Sequence, residues 1–220
     1  MIAYNLENIL KELPSGVKLV AVSKFHPFEA ILEAYSEGQR AFGENRPQEF
    51  ASKAVQLPQD IEWHFIGHLQ TNKLKLVLPY ASIVESIDTE HLLYAVNAWG
   101  EKNSKIINVL LEVHIGAEDT KQGFSPEEIL DLLGRVGDFP FVNFCGLMGM
   151  ASHTDDETAV RSDFSRIKTL FDRCREEFAW LTGFDQLSIG MSDDWRIALA
   201  YGCTEVRIGT AIFGKRITSI

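Results

Sequence analysis

Eight short apolar runs, most of them rich in β-branched residues, recur along this chain, and a helical pattern or helical turn follows each one. They lie at 17–24, 40–43, 62–67, 81–87, 106–115, 141–148, 186–189 and 205–208. Short apolar runs of this kind read as strands buried on both faces. Strict strand-then-helix alternation calls for a parallel sheet, because parallel neighbours can be joined only by a crossover. Eight such units close naturally into a barrel, for which about 250 residues is typical. An open doubly wound sheet is the competing arrangement. Against it, no G-x-G-x-x-G follows the first run and no composition break marks a second domain. The expectation is an α/β fold: one (β/α)8 TIM barrel over residues 1–220, with an extra N-terminal helix.

The connecting helices carry their own signals. Leu6, Ile9, Leu10 and Leu13 give a lead-in helix at 3–13, stopped by Pro14-Ser15-Gly16. Further helices are expected near 27–37 and 47–55, and from a cap at Asp88 to about Lys102. Ser125 followed by Pro126 marks another start, with Ser125 as N-cap and proline at the first position. A long helix at 155–179 carries Val160, Phe164, Ile167, Phe171 and Phe178 on its apolar stripe.

A net charge of −10 argues against a nucleic-acid partner, though not against a small anion held by local dipoles and single arginines. No stretch reaches transmembrane length, and the N-terminus, with Glu7 and Glu12, lacks a signal peptide's basic and apolar blocks. Cys145, Cys174 and Cys203 are odd in number and widely spaced, as in packing residues of a reducing compartment. Cytoplasmic residence, with no membrane contact, is the expectation.

In a barrel the chemistry gathers at the C-terminal ends of the strands. Lys24 ends the first run. An amine placed among apolar neighbours is disfavoured as an ammonium, which suits it to condense with an aldehyde as a Schiff base. The plainer alternative is a lysine whose stem lies on apolar surface while its amine reaches water. Asn45 follows the second run, and His64 and His68 flank the end of the third. Ser192 follows the seventh run at an expected helix N-terminus, where a hydroxyl, N–H groups and the helix dipole favour an anion. Gly209 and Thr210 follow the eighth, where backbone amides approach an anion closely. An amine facing a phosphate cradle describes a pocket for an aldehyde bearing a phosphate, and pyridoxal 5′-phosphate fits it.

Alternation puts Glu205, Arg207 and Gly209 on one face of the last strand and Val206 and Ile208 on the other. With the apolar pair toward the helices, Arg207 points into the barrel. A guanidinium beside the pyridine nitrogen donates a hydrogen bond and keeps that nitrogen unprotonated, which predicts poor transaminase chemistry. A salt bridge from Arg207 to Glu205 is the structural alternative. Asn45 also suits a plain turn, and Ser192 a plain helix cap. His64, His68 and His153 show no metal-ligand spacing, so no metal is expected.

Six segments carry a resemblance: Ala21-Val22-Ser23-Lys24, Phe42-Gly43-Glu44-Asn45, His64 to Lys73, Gly146 to Met150, Leu187 to Asp194 and Val206 to Gly214. In this order they resemble the pyridoxal phosphate homeostasis proteins, over about Val17 to Gly214. The resemblance implies a barrel like the N-terminal domain of alanine racemase (fold type III), a cofactor held on a lysine, and a part in vitamin B6 homeostasis. Lys24 would be the Schiff-base lysine and Arg207 the partner of the pyridine nitrogen. Ser192, Gly209 and Thr210 would hold the phosphate, and Asn45 would line the ring near its hydroxyl. Apo-enzymes that use the cofactor are the implied recipients. Arg46-Pro47 replaces the aromatic-plus-small pair common after the asparagine, and His68 stands where proline is frequent; both touch the rim.

Two functions remain in competition: a carrier that holds the cofactor without turnover, and an amino-acid racemase using the same pocket. Racemisation needs a base on each face of the cofactor plane. In alanine racemase the second is a tyrosine of a separate β-domain on the partner subunit, and this chain ends soon after its eighth strand. Tyr4, Tyr35, Tyr80, Tyr94 and Tyr201 all lie away from expected strand ends. The carrier is the expectation, and a monomer with it.

Overall fold

Lys18-Leu19-Val20-Ala21-Val22 forms a strand because its β-branched and aliphatic side chains have apolar layers to fill on both sides. Leu19 and Ala21 join the shell between sheet and helices, while Val20 points to the barrel axis and packs near Gly43. Every other strand repeats that division. The computed structural model describes residues 1–116 and 122–214.

The strands are β1 (Lys18–Val22), β2 (Ala41–Glu44), β3 (Glu62–Phe65), β4 (Ile83–Ile87), β5 (Ile107–Val113), β6 (Val142–Gly149), β7 (Gln186–Ser188) and β8 (Glu205–Ile208). The helices are α1 (Ile2–Glu12), α2 (Phe28–Ser36), α3 (Pro47–Gln56), α4 (Leu74–Val77), α5 (Glu90–Asn103), α6 (Pro126–Gly134), α7 (Glu157–Glu177), α8 (Trp195–Leu199) and α9 (Thr210–Phe213). The strands are all parallel and pair in sequence order, and β1 closes the barrel against β8, with Lys18 opposite Glu205 and Ala21 opposite Ile208. The expected (β/α)8 barrel with its extra N-terminal helix is therefore the fold.

Most of the apolar core lies in the shell outside the barrel, where Phe42, Phe50, Phe65, Phe164 and Trp195 are among the fully buried side chains. The axis holds a smaller apolar group, Ile83, Leu110, Cys145 and Met148. Polar side chains fill much of the remaining axial space, and from them the site is built.

Three local expectations need correction. The first strand stops at Val22, so Lys24 stands in a turn two residues beyond it. Helix α5 is capped by Thr89, whose hydroxyl accepts the Leu92 N–H, and not by Asp88, whose carboxylate engages His68. Helix α8 begins at Trp195 with Asp194 at the cap position, so Ser192 lies outside it. Asp194 turns back to accept the Met191 N–H, and that contact starts the turn. The Ser125 cap is as expected, a full capping box with Glu128 and Pro126 at the first position.

Candidate functional site

The turns that follow the strands converge on a cavity of about 380 Å³ at the C-terminal mouth of the barrel. Lys24, Asn45, Ser192, Arg207, Gly209 and Thr210 all line it, so the six residues singled out in the sequence share one space. A larger cleft of about 470 Å³ lies beside the start of α6. There Ser125 and Glu128 hold each other's backbone N–H groups, Thr89 caps α5 and Asp88 bonds His68.

The anion side is formed by the turns after β7 and β8. Gly190, two residues beyond β7, takes φ +94°, a conformation that L side chains rarely adopt, and an added Cβ would meet Trp195 and Ala198. This turn brings Ser192 across to β8, where its Oγ accepts the Gly209 N–H at 3.2 Å. At Gly209 an added Cβ would come within 3.1 Å of the Val22 carbonyl oxygen. A bare backbone is thus what allows the β8 turn to sit tightly on β1.

Asn45 stands just after β2, and its side-chain Oδ1 is buried without a hydrogen-bond partner. Buried acceptors are rarely left unpaired, so an orphaned one on a cavity wall points to a missing donor. Lys24 is half-buried on the same wall. Next to it, Phe25 takes φ +67°, and the Arg46 guanidinium lies 4.2 Å from the centre of its ring. The unusual Arg46-Pro47 pair therefore braces the turn that bears Lys24, with Pro47 opening α3. His68, in the adjoining turn after β3, bonds through Nδ1 to Asp88 Oδ2 at 2.8 Å.

Beneath the cavity the barrel axis is ionic. Arg207 points inward as alternation requires, while Val206 and Ile208 join the outer core. Its Nη1 donates to the Ser188 carbonyl at 2.8 Å and to Ser188 Oγ at 2.6 Å, and its Nη2 donates to the Gly149 carbonyl at 2.9 Å. Its carboxylate neighbour is Glu85, at 3.6 Å, not the Glu205 of the alternative reading. A guanidinium has five N–H donors, and three are committed here. The same side chain lines the cavity and so retains donors for a ligand.

Ser188 Oγ also lies 2.7 Å from Glu85 Oε2 and 2.9 Å from Glu205 Oε1. Its single proton can serve only one of them, so the other contact is a hydrogen bond only if a carboxyl carries a proton. Burial, then the charge of Glu85, push Glu205 up to about 7, which makes Glu205 the protonated member. Burial acts the same way on Glu85, but the hydrogen bond and charge of His64 and the charge of Arg207 outweigh it and hold Glu85 well below the usual carboxylate range. His64 bonds to Glu85 at 2.7 Å, and the two glutamates raise its pKa despite the opposing effect of burial.

His64, Glu85 and Glu205 are the one group of potential metal ligands that converges among the described residues. Their atoms are already hydrogen-bonded to one another or to Ser188, and the nearby Arg207 charge repels a cation, so they form a proton-sharing network instead. Sequence reasoning overlooked Ser188 and Glu85. The available signal was a glutamate inside the otherwise buried strand β4.

The family model described as the alanine racemase N-terminal domain matches residues 1–217. A Schizosaccharomyces pombe protein named pyridoxal phosphate homeostasis protein is 40% identical over 206 residues, covering 92% of this chain and 86% of its own. The chain belongs to the pyridoxal phosphate homeostasis protein family. PipY of Synechococcus elongatus, solved with pyridoxal phosphate bound, is similar at 33% identity and a TM-score of 0.90, with 97% of this chain and 100% of that chain covered. The same protein solved without the cofactor gives a TM-score of 0.92. In this family's barrel, the cavity described above lies where barrel enzymes carry their sites. No helix among the described residues is long and apolar enough to cross a membrane.

Proposed function

We propose that this chain binds pyridoxal 5′-phosphate in the strand-end cavity and serves vitamin B6 homeostasis as a carrier, without catalytic turnover. One observation carries the reading. An amine, two hydroxyls joined by a glycine turn, a guanidinium and an unpartnered buried amide oxygen line a single cavity of about 380 Å³. When bound, the cofactor supplies an aldehyde that condenses with a primary amine and a ring that withdraws electrons.

Lys24 provides the amine. The Ser192 and Thr210 hydroxyls and the Thr210 N–H hold the phosphate, and Gly209, whose own N–H binds Ser192 Oγ, keeps that hydroxyl in place. Asn45 Oδ1 accepts a hydrogen bond from the ring's hydroxyl, which relieves its isolation. Arg207 donates to the ring nitrogen and, having no proton to give up, holds it unprotonated. That choice weakens the electron sink and favours storage over turnover. Cofactor-dependent apo-enzymes are the recipients in this reading. The three buried, unpaired cysteines support a reducing compartment such as the cytoplasm.

The purified protein should be yellow. Borohydride should bleach it and leave a cofactor-sized mass increment on the peptide containing Lys24, and Lys24→Ala should be colourless. A yellow Lys24→Ala variant would refute the assignment. Turnover is tested separately by α-proton exchange of amino acids in deuterated water. Exchange above the rate with free cofactor would favour a racemase.

A further inference from the structure

The two peptide groups that flank Lys24 are both held by one buried ionic cluster on the helix side of the barrel. Lys53, on α3, is 2% exposed. Its ammonium donates to the Ser23 carbonyl at 2.8 Å, to Glu44 Oε1 at 2.6 Å and to Glu49 Oε1 at 2.7 Å, which uses all three hydrogens. Glu49 Oε1 in turn accepts the Phe25 N–H at 2.7 Å, and Ser23 Oγ donates to Glu44 Oε1 at 2.6 Å. The residue before Lys24 is therefore gripped directly, and the residue after it through Glu49.

Two features show that this cluster does more than fill space. Burying an ammonium and a carboxylate is costly, and well-packed apolar residues of similar volume are often at least as stabilising. Moreover Phe25, a bulky residue, is kept in the left-handed region at φ +67°, where a non-glycine persists only if its surroundings over-determine it. The clamped segment is the short turn that presents Lys24 to the cavity.

We propose that Lys53, acting through the Ser23 carbonyl and the Glu49 carboxylate, is a positioning residue that fixes the direction in which Lys24 enters the cavity. It touches no ligand; it aims the amine that does. The inference rests on Lys24 being the cofactor-holding residue. Glu49 is the link to vary first, because its side chain is partly exposed and it can be changed without burying a new charge.

The test compares wild type, Glu49→Ala and Glu49→Gln. Each is checked for fold by circular dichroism and for stability by its urea midpoint. Each is then measured for pyridoxal phosphate affinity by absorbance and, ligand-free, for the rate at which formaldehyde and borohydride methylate Lys24 relative to the other lysines, read by mass spectrometry. Misplacing a reacting group by even 1 Å has large kinetic consequences. Glu49→Ala should therefore bind about tenfold or more weakly and show an altered Lys24 methylation rate, with Glu49→Gln, which keeps the acceptor for the Phe25 N–H, returning to within about twofold of wild type. A folded Glu49→Ala with wild-type affinity and methylation overturns the proposal, since a purely structural cluster would lower the urea midpoint alone. If Glu49→Ala does not fold, Phe25→Gly/Glu49→Ala relieves the left-handed strain, and the same comparison decides. Should wild type itself fail to trap cofactor on Lys24, the cofactor assignment falls; if wild type traps normally and the variants match it, only the positioning role falls.

Discussion

Ser192 Oγ accepts the Gly209 N–H at 3.2 Å, linking the turn after β7 to the turn after β8. A hydroxyl that accepts from Gly209 keeps its own hydrogen, and that hydrogen is available to an anion held between the two turns. The pair thus orients a donor toward the cavity before any ligand arrives, and the closeness of Gly209 to Val22 keeps the second turn from drifting away.

Ser192→Ala should therefore weaken pyridoxal phosphate binding while leaving binding of pyridoxal, which lacks the phosphate, almost unchanged. Hydrogen bonds to charged groups contribute about 1.5–3 kcal/mol, so a loss of about tenfold or more is expected for the phosphorylated form. Titration of both ligands by absorbance checks it. Equal losses for the two would place the phosphate elsewhere.

Arg207 supports two functions that different substitutions separate. Arg207→Gln leaves His64 as the one cationic partner of Glu85 and removes donors from Ser188 and Gly149, so the ligand-free protein should lose about 1–3 kcal/mol of stability. In the loaded protein the same change should speed transamination of added alanine, because the ring nitrogen is free to take a proton. Arg207→Glu is the poorer probe, since it would set a second carboxylate beside Glu85 in the buried axis. Urea midpoints and keto-acid formation measure the two effects, and unchanged keto-acid formation would count against the ring-nitrogen role.

The barrel was legible because its strands are short runs with apolar layers on both sides, and that periodicity needs no knowledge of partners. Alternation along Glu205-Val206-Arg207-Ile208 was enough to aim Arg207 inward. What Arg207 meets there was not legible: Ser188 and Glu85 are 103 residues apart in sequence yet share a hydrogen bond, and no local pattern encodes that pairing. The same holds for Lys53, which looks like an ordinary surface lysine four residues from Glu49 until α3 docks on the β1 turn. The end of β1 was misread for a related reason. Val22-Ser23-Lys24 continues the strand pattern, but tertiary hydrogen bonds at Ser23 and Phe25 bend the chain away.

The axial network also makes stability depend on pH in a definite direction. Burial and the charge of Glu85 raise Glu205 to about 7, and burial with the charge of Asp88 raises Glu112 to about 7. Both carboxyls therefore hold protons in the folded state at pH values where the unfolded chain has released them. Their contribution is complete below the usual carboxylate range and is lost as pH rises toward 7. His64, raised against burial by the hydrogen bond and charge of Glu85, acts in the same sense: its contribution is present below its unfolded value near 6.5 and is lost as pH climbs through the folded one. Glu85 acts oppositely, but its contribution disappears only in strong acid. Between pH 5 and 8 the ligand-free protein should thus become less stable, by about 1–3 kcal/mol for each raised carboxyl. Glu205→Gln and Glu112→Gln mimic the protonated forms and should each flatten the decline in the urea midpoint. A midpoint that rises over this range, or a slope that neither variant alters, would show that Glu205 is ionised in the folded barrel and that Ser188 does not share a carboxyl proton.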